Sequence, residues 1–239
     1  MENKMRKTAY MPKAMIALIC LIIMLYFTFL YIDLFNSQLY RLSANLKYIC
    51  MLLCLGLSLF ARNNYFNLQN VWLLHIGLFL TCLADLFLLI IDNYYEVGVA
   101  IFSIVQITYS IRYDVGNSKK TVRNFIICFL SLFMAYIIAN LITELPALIP
   151  LALFYGICLI TSVVKAVKAF VNEAFPKPNG AMMALGMVLF LLCDINVALY
   201  NVLGTFNTSG FLYRISSVSM WLYYLPSQLL LSLSGYKFK

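Results

Sequence analysis

Residues 70–91 read NVWLLHIGLFLTCLADLFLLII. The run is long enough for one helix to cross a hydrocarbon layer of about 30 Å, yet Asp85 stands inside it. Residues 180–203, GAMMALGMVLFLLCDINVALYNVL, repeat the arrangement with Asp194. Each acid lies eight residues after a glycine, Gly77 in GLFLTCLAD and Gly186 in GMVLFLLCD. A charged residue at the bilayer centre costs about 2.5–3.5 kcal/mol on insertion scales, so acids found there are normally kept for a function. Two of them in like settings predict one polar site within a membrane bundle.

The rest of the chain fits that class. Of 239 residues, 64% are hydrophobic and 11% charged, and the mean hydropathy is +0.90. A soluble domain has no use for so much apolar surface, whereas a polytopic helix bundle needs it on its lipid face and in its core. The formal net charge of +8 does not point to nucleic acid, because no basic run has the length or aromatic interleaving of such a surface. The seven cysteines, 20, 50, 54, 82, 128, 158 and 193, all fall in apolar stretches, where cysteine acts as a small apolar residue. No CxxC or Cys/His ligand spacing occurs.

Eight stretches have roughly spanning length: 14–33, 44–60, 70–91, 96–113, 122–140, 146–168, 180–203 and 211–234. They predict an all-α bundle of about eight transmembrane helices, residues 1–239 forming a single domain. Asp92 to Tyr95 alone join the third and fourth, which requires a tight hairpin. Pro146 starts the sixth, and Pro176 and Pro178 break the chain before the seventh. Lys4, Arg6, Lys7 and Lys13 precede the first apolar run with no small-x-small cleavage site after it, so that run reads as a retained helix.

With the N-terminus inside, Arg62, Arg112, Lys119, Lys120, Arg123, Lys165, Lys168, Lys177, Lys237 and Lys239 join those four in the cytoplasm. Arg41, Lys47 and Arg214 fall outside. The asymmetry predicts both termini cytoplasmic. The Gly-x7-Asp match then falls on the third and seventh helices, running in one direction. That is the pattern of a duplicated four-helix unit, a 4+4 parallel repeat, with both acids in the outer half of the membrane.

Polar residues elsewhere collect on helix faces. Gln106, Tyr109, Ser110 and Tyr113 follow i, i+3, i+4, i+7 spacing on the fourth helix. Ser217, Trp221, Tyr224 and Gln228 share a face of the eighth, and Asn201 returns to the face of Asp194. Such stripes commonly bond neighbouring helices together, and beside two buried acids they also suit a pocket. Pro226 frees the carbonyl of Leu222, which serves either a packing kink or the pocket. His75, the only histidine, lies roughly 15 Å along the helix from Asp85 and reads as a packed or interfacial residue.

The segments GLFLTCLADLFLLIIDNYYEVGVAIFSIVQITY, GAMMALGMVLFLLCDINVALYNV and YYLPSQLLLSLS resemble the lysoplasmalogenase (YhhN-like) integral membrane family. The matching residues are Asp85, Gly98, Phe102, Gln106 and Tyr109, then Gly180, Ala181, Phe190 and Asp194, then Tyr223, Tyr224 and Gln228. The likeness covers the third, fourth, seventh and eighth helices. Family members often carry histidine where this chain has Gln106, glycine where it has Ala84 and serine where it has Cys193. Gln106 can hydrogen-bond but cannot shuttle a proton, which leaves the acids as the proton-transfer groups.

The resemblance implies hydrolysis of the vinyl ether bond of a lysoplasmalogen, a lysophospholipid drawn from the membrane, to a fatty aldehyde and a glycerophospho-base. Vinyl ethers hydrolyse through protonation of carbon and capture of an oxocarbenium ion by water, a task for a carboxyl pair as in glycoside hydrolysis. Asp85 and Asp194 are the expected acid and base. Gln106, Tyr109, Tyr224, Gln228 and Asn201 are expected to position water and the polar head. No metal or other cofactor is called for. A multi-pass small-molecule or proton-coupled transporter is the competing reading, since midplane acids and a proline-kinked helix also suit alternating access. A non-catalytic lipid-binding membrane protein is a third. In a bacterial host the cytoplasmic membrane is the expected location, an outer-membrane protein being a β-barrel.

Overall fold

The computed structural model describes residues 13–60, 67–114, 116–206 and 210–238. Eight long helices account for nearly all of them: α1 Lys13–Phe35, α2 Tyr40–Leu59, α3 Leu68–Asp85, α4 Tyr95–Tyr113, α5 Ser118–Asn140, α6 Leu148–Val171, α7 Lys177–Phe206 and α8 Phe211–Leu233. The all-α expectation holds, and the boundaries fall close to the apolar stretches. Lys4, Arg6, Lys7, Arg62 and Lys239 of the charge argument lie outside the described residues.

Prolines do less to end helices than expected. Helix α7 begins at Lys177, so Pro178 sits in its first turn, where a missing N–H costs nothing. Asn67 caps α3, its side chain accepting from the Asn70 amide at 3.2 Å. Directly after Asp85 the helix widens into a π-helical segment, Leu86–Ile91, and Asp92 then turns the chain in the left-handed region (φ 50°). Single π turns inside α-helices are frequent at functional sites.

Among the described residues, six helices are long and apolar enough by themselves to cross a membrane. The two that fall short, α4 and α8, are the polar ones, and α4 buries eleven of its 19 residues. Helix α5 is the opposite case: apolar, with only Thr121 and Phe125 buried, it presents Ile127, Leu130 and Met134 outward, as a lipid-facing helix does. The main core joins α3, α4, α6, α7 and α8 around Tyr109, Phe190, Met183 and Met187, and a second cluster packs α1 and α2 against α8.

The duplicated unit is visible in the packing. Most neighbour relations recur when four is added to the helix number: α3 on α4 as α7 on α8, α2 on α3 as α6 on α7, α2 on α8 as α6 on α4, α1 on α8 as α5 on α4, with α3 on α8 the exception. The motif is longer than Gly-x7-Asp. It reads Asn-x6-Gly-x7-Asp, with Asn70, Gly77 and Asp85 in α3 and Asn179, Gly186 and Asp194 in α7. On the partner helices Gln106, Tyr109 and Arg112 recur at the same spacing as Gln228, Leu231 and Ser234. A Cβ on Gly77 would meet Tyr109 at 2.5 Å and one on Gly186 would meet Leu231 at 3.0 Å. Both glycines therefore admit the residue at the matching place. Arg112 donates from Nη2 to Ser234 Oγ at 2.9 Å, tying the equivalent points of the two halves to each other.

Two charges of the topology argument need correcting, and Arg112, counted in the cytoplasm, is one of them: it is 3% exposed and bonds Asn70 and Ser234 inside the bundle. Lys47, counted outside the membrane, is buried inside the bundle and pairs with Asp33 of α1 at 2.7 Å. It lines a cavity rather than a loop, so the set expected outside shrinks to Arg41 and Arg214.

Candidate functional site

Asp85 and Asp194 end up facing one cavity of about 590 Å³, lined from α1, α2, α3, α4, α6, α7 and α8. Asp85 is 3% exposed and accepts a hydrogen bond from Tyr224 Oη at 2.7 Å. Asp194 accepts one from the Tyr155 hydroxyl of α6. Each acid thus carries one tyrosine, and the two are close enough to interact electrostatically. Cys193 lies beside both.

An aromatic wall connects the two Tyr–Asp units. Ring centroids run from Trp221 to Tyr224 (5.5 Å), Tyr224 to Phe190 (5.7 Å), Phe190 to Phe102 (5.9 Å) and Phe102 to Tyr155 (6.1 Å). The first three contacts are edge-to-face, the arrangement ring quadrupoles favour. Their negative faces also suit a cation. Lys47 Nζ lies 4.3 Å from the Trp221 centroid, and its partner Asp33 is held by Ser43 Oγ at 2.5 Å. Asn201 donates to Tyr95 Oη at 3.2 Å along another part of the lining.

The expected site residues therefore divide. Tyr224 and Asn201 line the cavity with the acids. Gln106 is fully buried behind them, accepting from Ser162 Oγ at 2.7 Å and lying beside the Tyr155 hydroxyl. Tyr109 packs over Gly77, and Gln228 is fully buried with neither amide atom bonded. Neither lines the cavity. The carbonyl freed by Pro226 accepts from Tyr26 Oη at 3.0 Å, so the kink joins α8 to α1 and does not serve the pocket. His75 bonds the Ser58 carbonyl at 2.9 Å, a helix-to-helix contact as expected.

Three lining residues escaped the sequence reading. Tyr155 was visible only as the one tyrosine in an otherwise apolar sixth stretch. Asp33, at the very end of the first stretch, was a third acid in an apolar setting. Lys47 looked like a loop charge because the second stretch seemed to start near it.

The sequence profile of the YhhN family matches residues 42–235. The chain belongs to the YhhN family. No curated protein and no solved structure matches it. The match starts within α2, so Asp33 comes from a helix outside it, whereas both acids, both tyrosines and Lys47 lie inside.

Proposed function

We propose that this YhhN-family protein hydrolyses the vinyl ether bond of lysoplasmalogens within the membrane, by carboxyl acid/base catalysis. The observation that carries the reading is the pair of carboxyls, each braced by a tyrosine hydroxyl, facing one aromatic-walled cavity. One acid, protonated, gives its proton to the β-carbon of the vinyl ether. The double-bond electrons form that C–H bond, and the ether oxygen shares the resulting positive charge as an oxocarbenium ion. The other, ionised, takes a proton from water as the water oxygen bonds to the α-carbon. The hemiacetal so formed breaks its bond to the glycerol oxygen, which takes the proton of the second carboxyl, while the hemiacetal hydroxyl gives its proton to the first carboxylate; aldehyde and glycerophospho-base leave and both acids return to their starting states. Aromatic faces along the wall favour the intermediate cation.

In this reading Tyr224 and Asn201 contact substrate, and Gln106, Tyr109 and Gln228 form the packed layer behind them. Lys47 suits the substrate phosphate, and Asp33, its present partner, suits the amine of a zwitterionic head. The charge asymmetry of the sequence supports a bacterial cytoplasmic membrane with both termini inside as the location.

Alternating access draws less support. The π-helical turn after Asp85 has no counterpart in the continuous α7, and Pro226 corresponds to Ile104 in α4. A transporter built from parallel repeats interrupts its helices at matching places. The deciding experiment is aldehyde release from a defined lysoplasmalogen by the detergent-purified protein. Stoichiometric aldehyde supports the hydrolase. Its absence across choline and ethanolamine head groups, from folded protein, overturns it.

A further inference from the structure

A second cavity, of about 700 Å³, opens at the other end of the bundle and shares no residue with the first. Asn70, which lines it, precedes Asp85 by 15 residues of the same helix, or about 22 Å. Its floor is Arg112, 3% exposed and, among the described residues, without a carboxylate partner. Arg112 donates from Nε to Asn70 Oδ1 at 3.0 Å and from Nη2 to Ser234 Oγ at 2.9 Å and lies 5.7 Å from the Tyr113 ring centroid, while its Nη1 meets the distance and angle of a hydrogen bond with no group among the described residues. Because Asn70 Oδ1 accepts from Arg112, its Nδ2 is a donor, and it too is buried and unpartnered.

Two buried donors left open at one cavity call for an acceptor, and an unpaired buried guanidinium calls for a negative one. Around them stand Lys119, Lys120 and Arg123, together with Gly116, Asn117 and Ser118 at the N-terminus of the 23-residue α5. The Asn117 side chain makes no cap there, so the first amides of α5 remain open to an anion. The single acid on the lining, Asp114, is already bonded by Lys165 at 2.6 Å and by Thr121.

We infer that this cavity binds a phosphate ester, clasped by Arg112 and Asn70 from below and by Lys119, Lys120 and Arg123 at the rim. A guanidinium and an amide donate side by side to phosphate oxygens, the geometry that suits arginine to phosphate. The phosphate belongs either to an anionic lipid of the adjoining leaflet or to a soluble phosphomonoester. Because Arg112 also ties α3 to α8, occupancy tightens the closed end of the bundle.

The full-length protein tests this with two probes, both at constant ionic strength. Glycerol 3-phosphate is titrated against protein in detergent. Phosphatidylglycerol is compared with phosphatidylcholine in nanodiscs, with thermal unfolding as the readout of each arm. Stabilisation by either phosphate source, with chloride inactive, is the expected result, and which arm responds identifies the source. The surface variant K119Q/K120Q/R123Q, which leaves the core untouched, is expected to bind at least about tenfold more weakly. Asn70→Leu removes the deep donor with the rim intact and is expected to weaken binding likewise. An unresponsive wild type in both arms, or a response in both the rim and Asn70→Leu variants equal to that of the wild type, overturns the assignment. Aldehyde release enters neither arm, so this result stands apart from the hydrolase reading.

Discussion

Tyr224 donates its hydroxyl hydrogen to Asp85 at 2.7 Å, so the eighth helix supplies the partner of an acid carried by the third. Tyr155 does the same for Asp194 from the sixth helix. Under the fourfold shift in helix number these two tyrosines are not equivalents: the place of Tyr224 is taken in α4 by Phe102. The repeat supplies two acids at one level, and unrelated helices supply their tyrosines. The two carboxyls thereby acquire different surroundings, as an acid and a base require.

Asp85→Asn and Asp194→Asn are each expected to lower aldehyde release by about a hundredfold or more, the usual worth of a positioned acid or base. Initial rates with purified variants measure it. Full activity in both variants would remove the carboxyl mechanism.

Tyr224→Phe keeps the ring against Phe190 and Trp221 but deletes the hydrogen bond to Asp85. A fall in kcat of about tenfold is expected, with KM little changed. The same kcat as wild type would reduce Tyr224 to a packing residue.

Lys47→Gln removes the charge expected to meet the substrate phosphate. KM is expected to rise by about tenfold with a smaller effect on kcat, measured against a substrate series differing only in head group. If KM is unmoved for every head group, the phosphate contacts the protein elsewhere.

Gly77→Ala forces a methyl to 2.5 Å from Tyr109, whose ring is fully buried, whereas Gly186→Ala brings one only to 3.0 Å from Leu231. Overpacking of this kind costs about 1–3 kcal/mol, and the larger loss is expected at Gly77. Thermal unfolding in detergent ranks the two, and equal losses would count against the packing argument.

Asp114 sits just past α4. Its partial burial pushes the carboxyl up, but the hydrogen bonds from Lys165 and Thr121, with the Lys165 and Lys120 charges, outweigh that and hold it below the ordinary range. A group depressed on folding contributes stability above its unfolded pKa, lost as pH falls through the folded value. Asp114→Asn should therefore be less stable than wild type near neutrality, the gap closing below about pH 4. A gap constant with pH would contradict the linkage.

Much of this was legible from residues alone. Apolar length placed the helices, and the Gly-x7-Asp match placed both acids on one cavity, because a membrane charges so heavily for a carboxylate that its presence is informative. The polar stripe of α4 was also real, but its residues bond to neighbouring helices and only partly reach the cavity. No periodicity separates those two outcomes, since a buried amide facing a helix and one facing a cavity occupy the same positions in sequence. Tyr155, Asp33 and Lys47 were illegible for a related reason. Each stands in a helix whose other polar residues bond elsewhere, as Ser162 of α6 does to Gln106, and only tertiary packing shows which of them reach the cavity.

The low hydropathy of α4 and α8 has a consequence for biosynthesis. Neither is by length and composition alone apolar enough for a membrane-crossing helix, and each follows a more apolar predecessor, α3 or α7. The short Asp92–Tyr94 turn obliges α3 and α4 to enter the bilayer as a hairpin, the apolar member carrying the polar one. In the first half, the polar helix that completes the cavity is therefore delivered by the helix that bears its acid.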